Sequence, residues 1–259
     1  MTLHLSNLTP ASRKVLRVLS TDTVPPGLFI SRNEKTGYSI NVPIEKTCRP
    51  TADCDVYCYG NRGPISWPKS IDRQMDNHRR FEYLRGAPNE EIEAEADAVY
   101  RAVIRVQTFL RMFGVGDLTD GSVRFINAIA SRHPDLAVWV STRKLEFARK
   151  LLRLPNLHIM VSVDKSTKGE DFHQTYEYVQ ARAPQAFGAY VQQKEQEAVP
   201  AWAKVIFAEH KGAKRAEWSA EHFDARTCPA TIVDGAEHND ACANCHYCFD
   251  AERRDAGRP

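Results

Sequence analysis

No stretch of about 18 consecutive apolar residues occurs in the 259-residue chain, which excludes a membrane-spanning helix. Excess charge is missing too. The 35 basic and 33 acidic residues leave a formal net charge of +2, so bulk electrostatics make no case for nucleic-acid binding. The local basic runs "MDNHRR" (75–80) and "HKGAKR" (210–215) read as solvated faces. There is no internal repeat and no low-complexity tract. The opening "MTLHLSNLTPASRKVL" lacks the order of charge, apolar core and small cleavage site of a secretory leader, so a cytoplasmic location is expected. In a reducing compartment disulfides are not the expected fate of cysteine, and seven cysteines cannot all pair within one chain.

What the chain does have is a rhythm. Residues 1–27 read as an N-terminal lead ending in "VPPG". "GLFISRNEKTGYSINVPI" reads as two β segments around a turn at Lys35–Gly37, and a helix is expected over 72–84. Over 89–108, Ile92, Ala96, Val99, Val103 and Val106 form one apolar stripe, with Asn89 placed to cap the helix. Then "TFLRMF", "LAVWVST", "LHIMVSV", "FGAYVQ" and "AKVIFAEH" read as strands. "SVRFINAIASR", "KLEFARKLLRL" and "EDFHQTYEYVQAR" read as intervening helices. Alternation of this kind implies βαβ units and a parallel sheet. With "YSINVPI" the count is six strands. The expected fold is therefore α/β, a partial (βα)6 barrel over 28–210, with a cysteine-rich C-terminal extension over 211–259; a flat doubly wound sheet is the competing arrangement. Trp139, Phe147 and Tyr178 are expected in the core, and His133 and His158 in structural roles.

The cysteines fall into two sets. Cys228, Cys242, Cys245 and Cys248 lie within 21 residues, and "CANCHYC" spaces three of them by two residues each. Tight spacing of this type wraps a [4Fe–4S] cube in bacterial ferredoxins, with Cys228 as the fourth thiolate. Zinc is the alternative metal, with His246 able to replace a cysteine. Cys48, Cys54 and Cys58 fall within eleven residues of "KTCRPTADCDVYCYGN". Three thiolates on a cube leave one iron open to a small molecule. A zinc site completed by His78 is the alternative here.

In parallel α/β folds ligands bind where strands end. The first strand after the long helix ends in Gly114, Val115, Gly116 and Asp117, where glycines admit a ligand close to the backbone and a carboxylate can meet an ammonium group. The next ends in Ser141, Thr142 and Arg143, and Arg143 can hold a carboxylate. Ser162 and Asp164 close the third and suit a ribose or amine; Glu209 and His210 close the last. The plainer alternative is that these residues make turns and cap the next helices.

A three-cysteine loop after the first strand, with Tyr57 before the last cysteine and a glycine-rich turn ending in Asp117, resembles radical S-adenosylmethionine (SAM) enzymes. Their usual spacing is C-x3-C-x2-C, whereas this chain has C-x5-C-x3-C. That resemblance implies a site-differentiated cluster at Cys48, Cys54 and Cys58, with Gly116 and Asp117 on the methionyl end of SAM and Arg143, Ser162 and Asp164 near the rest. More closely, "KTCRPTADCDVYCYGN", "RMFGVGDL", "VWVSTRK", "AKVIFAEH" and "TCPA…CANCHYCFD" together resemble the phage-type gene product 88 family over roughly residues 28–250. The functional expectation is an iron–sulfur protein with two [4Fe–4S] clusters acting on an unidentified substrate, SAM being its cosubstrate. A SAM-independent redox or sensor protein with an electron donor, and a structural zinc protein, are the alternatives.

Overall fold

The computed structural model describes residues 23–33, 37–61, 63–193, 197–208, 226–228, 242 and 245–251. Most of the expected N-terminal lead, the strand-end residues Glu209 and His210, and the basic run at 210–215 lie outside these described residues.

A seven-stranded sheet runs in sequential order, β1 to β7. β1 (Ser31–Asn33) is antiparallel to β2 (Gly37–Ile40), as the two expected β segments require. From β2 onward all pairings are parallel: β3 (Phe109–Met112), β4 (Ala137–Thr142), β5 (Leu157–Asp164), β6 (Ala186–Gln192) and β7 (Ala203–Ala208). A doubly wound sheet reverses its strand order partway; among the described strands there is no reversal.

After β2 the chain makes two short helices, α1 (Ile44–Thr47) and α2 (Ala52–Tyr57), which carry the first cysteine set. Two long helices follow, α3 (Pro68–Gly86) and α4 (Asn89–Val103), then α5 (Asp120–Arg132), α6 (Leu145–Ala148) and α7 (Gly169–Arg182) in the crossovers. No described helix is long and apolar enough to cross a membrane.

Alternation along each strand sorts the side chains onto two faces. Leu110, Met112, Val138, Val140, Ile159 and Val161 pack against helical residues such as Phe81, Leu84, Ile92, Ile126 and Ile129. On the other face Phe109, Trp139, Met160 and Phe187 pack against Tyr247, Cys248 and Phe249 of the C-terminal cysteine segment. Covering both faces suits a parallel sheet.

Three local expectations are corrected. Val106 is 61% exposed and off the α4 stripe, because the helix ends at Val103. Asn89 is the first helical residue rather than the cap, which is Pro88; its side-chain oxygen instead accepts from Arg124 Nη2 at 2.8 Å. The helix expected from "KLEFARKLLRL" is a single turn. The chain bends to bury Leu151, and Pro155 disfavours helical backbone at Leu154. Trp139 and Tyr178 are buried as expected. His133 is structural: its ring stacks on Tyr100 and pairs with Asp97.

α5 begins with Thr119 and Ser122 capping each other's backbone N–H groups. That places Gly121 directly against α3, where a Cβ would stand 1.7 Å from the Phe81 carbonyl oxygen. Gly121→Ala is therefore expected to force the two helices apart and to destabilise the protein by about 1–3 kcal/mol. Urea unfolding measures this; an unchanged midpoint would contradict the close helix approach.

Candidate functional site

The first cysteine set is anchored from below by a chain of hydrogen bonds that starts in the sheet. Asn41, just past β2, accepts from the Val115 N–H at 3.0 Å, and the Val42 N–H donates to the Val115 carbonyl at 3.2 Å. Gly116 lies against Val42 with φ +86°; a Cβ there would meet the Val42 carbonyl oxygen at 2.3 Å, so only glycine fits this turn. Next to it, the Asp117 N–H donates to Thr47 Oγ1 at 3.0 Å, and Thr47 Oγ1 donates to the Pro43 carbonyl at 2.8 Å. α1 and the "GVGD" turn are thus one unit.

Asp117 is buried. Its oxygens accept from Thr142 Oγ1 (2.5 Å), the Leu118 N–H (2.7 Å) and the Arg143 N–H (3.1 Å). Burial holds its carboxyl above the usual range despite these bonds. The carboxylate therefore ties the end of β3 to the end of β4, and the cap of α5 falls to Thr119 instead.

Asp164 does the same one strand further on. It accepts from Thr51 Oγ1 at 2.6 Å and from the Ser166 and Thr167 N–H groups. Thr51 caps α2 by accepting from the Cys54 N–H at 3.1 Å. Ser166 also donates to Asp53, the second residue of α2. The cysteine loop is therefore pinned to the end of β5. Arg143 Nη1 stands 2.9 Å from Asp164 Oδ2 as an ion pair, but the N–H is not aligned for a hydrogen bond and stays buried without an acceptor.

These elements line a cavity of about 190 Å³. Cys48, Cys54 and Cys58 line it together with Gly114, Gly116, Asp117, Ser141, Arg143 and Ser162. Asp164 does not line it but pairs with Arg143, which does. The side chain of Tyr57 lies outside the described residues. Phe113 also faces the cavity, with a left-handed φ of 62°. For a bulky residue this costs about 1–3 kcal/mol, offset by its ring packing edge-on to Phe81.

Among the described residues the cavity wall contains no histidine and no fourth cysteine. His78 sits on α3, and the charges around it are Glu82, Lys46, Arg79 and Lys144. Among the described residues no group of three or more His, Cys, Asp or Glu is arranged, as it stands, to hold a metal ion. Burial raises all three thiols. Asp117 and the two other thiols push Cys48 further up; Arg143 opposes the rise at Cys54; Cys58 is pushed up to about 11. Without a bound cation all three are neutral at pH 7.

The second set sits on the sheet face opposite the helices. The Cys228 N–H donates to the Ile206 carbonyl at 2.7 Å, which fixes it beside β7. Cys242 is pushed up to about 11 by burial, against the lowering effect of Arg111 and with Cys228 and Cys245 nearby. Cys248 is buried, and Phe249 stacks on Phe109 with ring centroids 4.3 Å apart. His246, also left-handed at φ 58°, packs its ring on Phe249.

Sequence reasoning found the cysteines and strand ends but missed Thr47, Thr51, Asn41 and Arg111. Thr51, three residues before Cys54, carried a readable N-cap signal. Arg111 showed only as a charge inside an apolar strand.

The raised thiols give a direct check. Folded, metal-free protein is expected to react with iodoacetamide at Cys58 and Cys242 about a hundredfold or more slowly than a free thiol at pH 8. Because the unfolded thiols ionise first, metal-free stability is full below about pH 8.5 and falls as pH rises toward about 11. Free-thiol rates at pH 8, mapped by peptide mass analysis, would contradict the burial.

The family model described as Gene product 88 matches residues 19–251. Neither the curated proteins nor the solved structures include a match to this chain. A match over most of the length, running from before β1 through both cysteine sets, makes the assignment plain: the chain belongs to the gene product 88 family.

Proposed function

We propose that this protein is an iron–sulfur enzyme of radical-SAM-like type, with a site-differentiated [4Fe–4S] cluster on Cys48, Cys54 and Cys58 and a second on Cys228, Cys242, Cys245 and Cys248. The sheet is read as an open partial barrel, a reading supported by its sequential strand order and by the packing of the long helices against one face. The observation that carries the proposal is the cavity: three cysteines line it, and among the described residues no fourth cysteine or histidine is in its wall. That donor set fits a polynuclear group with one position left for a small molecule better than a closed tetrahedral zinc site.

Bound there, the cluster would supply the electron that splits SAM into methionine and a 5′-deoxyadenosyl radical. The chain's own residues bind and orient. The three thiols must lose their protons for the group to bind, so loading is favoured by rising pH. Gly114 and Gly116 put backbone without a side chain in the cavity wall. Ser141 and Ser162 offer hydroxyls from the wall. Asp117 holds the turn under the methionyl end, its oxygens already engaged by Thr142 and two N–H groups. The apolar wall of Phe113, Met160, Val191 and Phe207 restricts water.

Anaerobic reconstitution with iron and sulfide, followed by dithionite and SAM, is expected to release 5′-deoxyadenosine and methionine. Cys54→Ala is expected to abolish release while leaving the C-terminal set able to take iron. Absence of both products from fully loaded protein would overturn the SAM reading, and calorimetry showing no SAM binding would favour SAM-independent redox chemistry.

A further inference from the structure

One cation in the cavity wall has no acidic partner among the described residues. Arg111 lies on β3, half-buried, with its guanidinium carbon 4.7 Å above the ring of Trp139. It lines the same cavity as the three cysteines. Among the described residues it makes no ion pair, and its Nε is buried with no hydrogen-bond partner. A buried N–H without an acceptor is uncommon and asks for an explanation. Two more such donors belong to this face of the sheet: Arg143 Nη1, in the cavity wall, and Trp139 Nε1, beneath Arg111.

The nearby acids are already engaged. Asp117 accepts from Thr142, Leu118 and Arg143, and Asp164 from Thr51, Ser166 and Thr167. Donors therefore outnumber acceptors on this wall, and a ligand that balances it must bring negative oxygen atoms. Guanidinium groups take carboxylates and phosphates through paired N–H bonds. Facing them, Met160, Val191 and Phe207 supply apolar surface for the rest of the molecule.

We infer that Arg111 anchors a substrate subsite, distinct from the SAM position, which takes the oxyanion of a carboxylate- or phosphate-bearing small molecule with an apolar body. The guanidinium is well placed for this. It lies over the Trp139 ring, which supports it, and beside Gly114, which adds no side chain to the cavity wall. The subsite rests on the proposed function only in treating the cavity as a ligand site.

Protein purified anaerobically with its metal is titrated by calorimetry with inorganic phosphate and, separately, with butyrate. Ionic strength is held constant with chloride, and no SAM is present. Saturable binding of at least one anion is expected, with the stronger of the two identifying the head group. Arg111→Gln is expected to weaken it at least tenfold, and Arg111→Lys less than that. Melting in chloride alone checks that both variants fold, and the lysine variant keeps the test open if the glutamine variant does not. No binding to wild type overturns the proposal, as does equal binding by wild type and Arg111→Gln. If neither anion binds but SAM affinity drops in Arg111→Gln, the arginine serves the methionyl carboxylate and the separate subsite falls. Because the anions are measured without SAM, failure of SAM cleavage and failure of this subsite are separate results.

Discussion

Two buried carboxylates hold the strand ends together, and the rest of the site depends on them. Asp117 joins the end of β3 to the end of β4. Asp164 joins the end of β5 to the cysteine loop through Thr51, and to β4 through Arg143. A buried carboxylate is costly unless its oxygens are satisfied. Here each is met by at least three donors or charges, so satisfying the acids and positioning Cys54 are the same event. The fold thereby converts an electrostatic requirement into a fixed loop: any movement of α2 away from β5 would uncover Asp164.

The two cysteine sets share one sheet face. The first stands at the C-terminal ends of the strands, and the second is packed beneath it by Phe249 on Phe109 and by Cys228 beside β7. Arg111 belongs to both neighbourhoods, lining the cavity of the first and acting electrostatically on Cys242 of the second. Under the proposed function, the upper set performs chemistry and the lower one carries electrons or braces a substrate.

The α/β rhythm was legible because burial imposes a period of two on strands and a period near 3.6 on helices. It failed where tertiary packing ended a pattern early. Val106 continues the α4 stripe in sequence, but nothing covers it after the helix stops at Val103. "KLEFARKLLRL" has helical spacing, yet only Leu145–Ala148 is helical because Leu151 must turn inward. In the site, residue type alone exposed the cysteines, and strand ends exposed Gly116, Asp117 and Ser162. The functions of Asp117 and Asp164 were not legible: both look like ligand contacts in sequence, while their partners, Thr142 and Thr51, lie 25 and 113 residues away. Arg111 was hidden for the opposite reason. Its significance is a missing partner, and that is a property of three-dimensional surroundings.

The membership in the gene product 88 family fixes what this chain is related to and leaves its chemistry to be read from the cavity. The central claim is that three thiols around that cavity, and four beneath it, each hold an iron–sulfur cube. Iron and acid-labile sulfide, measured on anaerobically purified protein, test it most directly. About eight of each per chain are expected. A colourless protein with stoichiometric zinc and no sulfide would contradict the account.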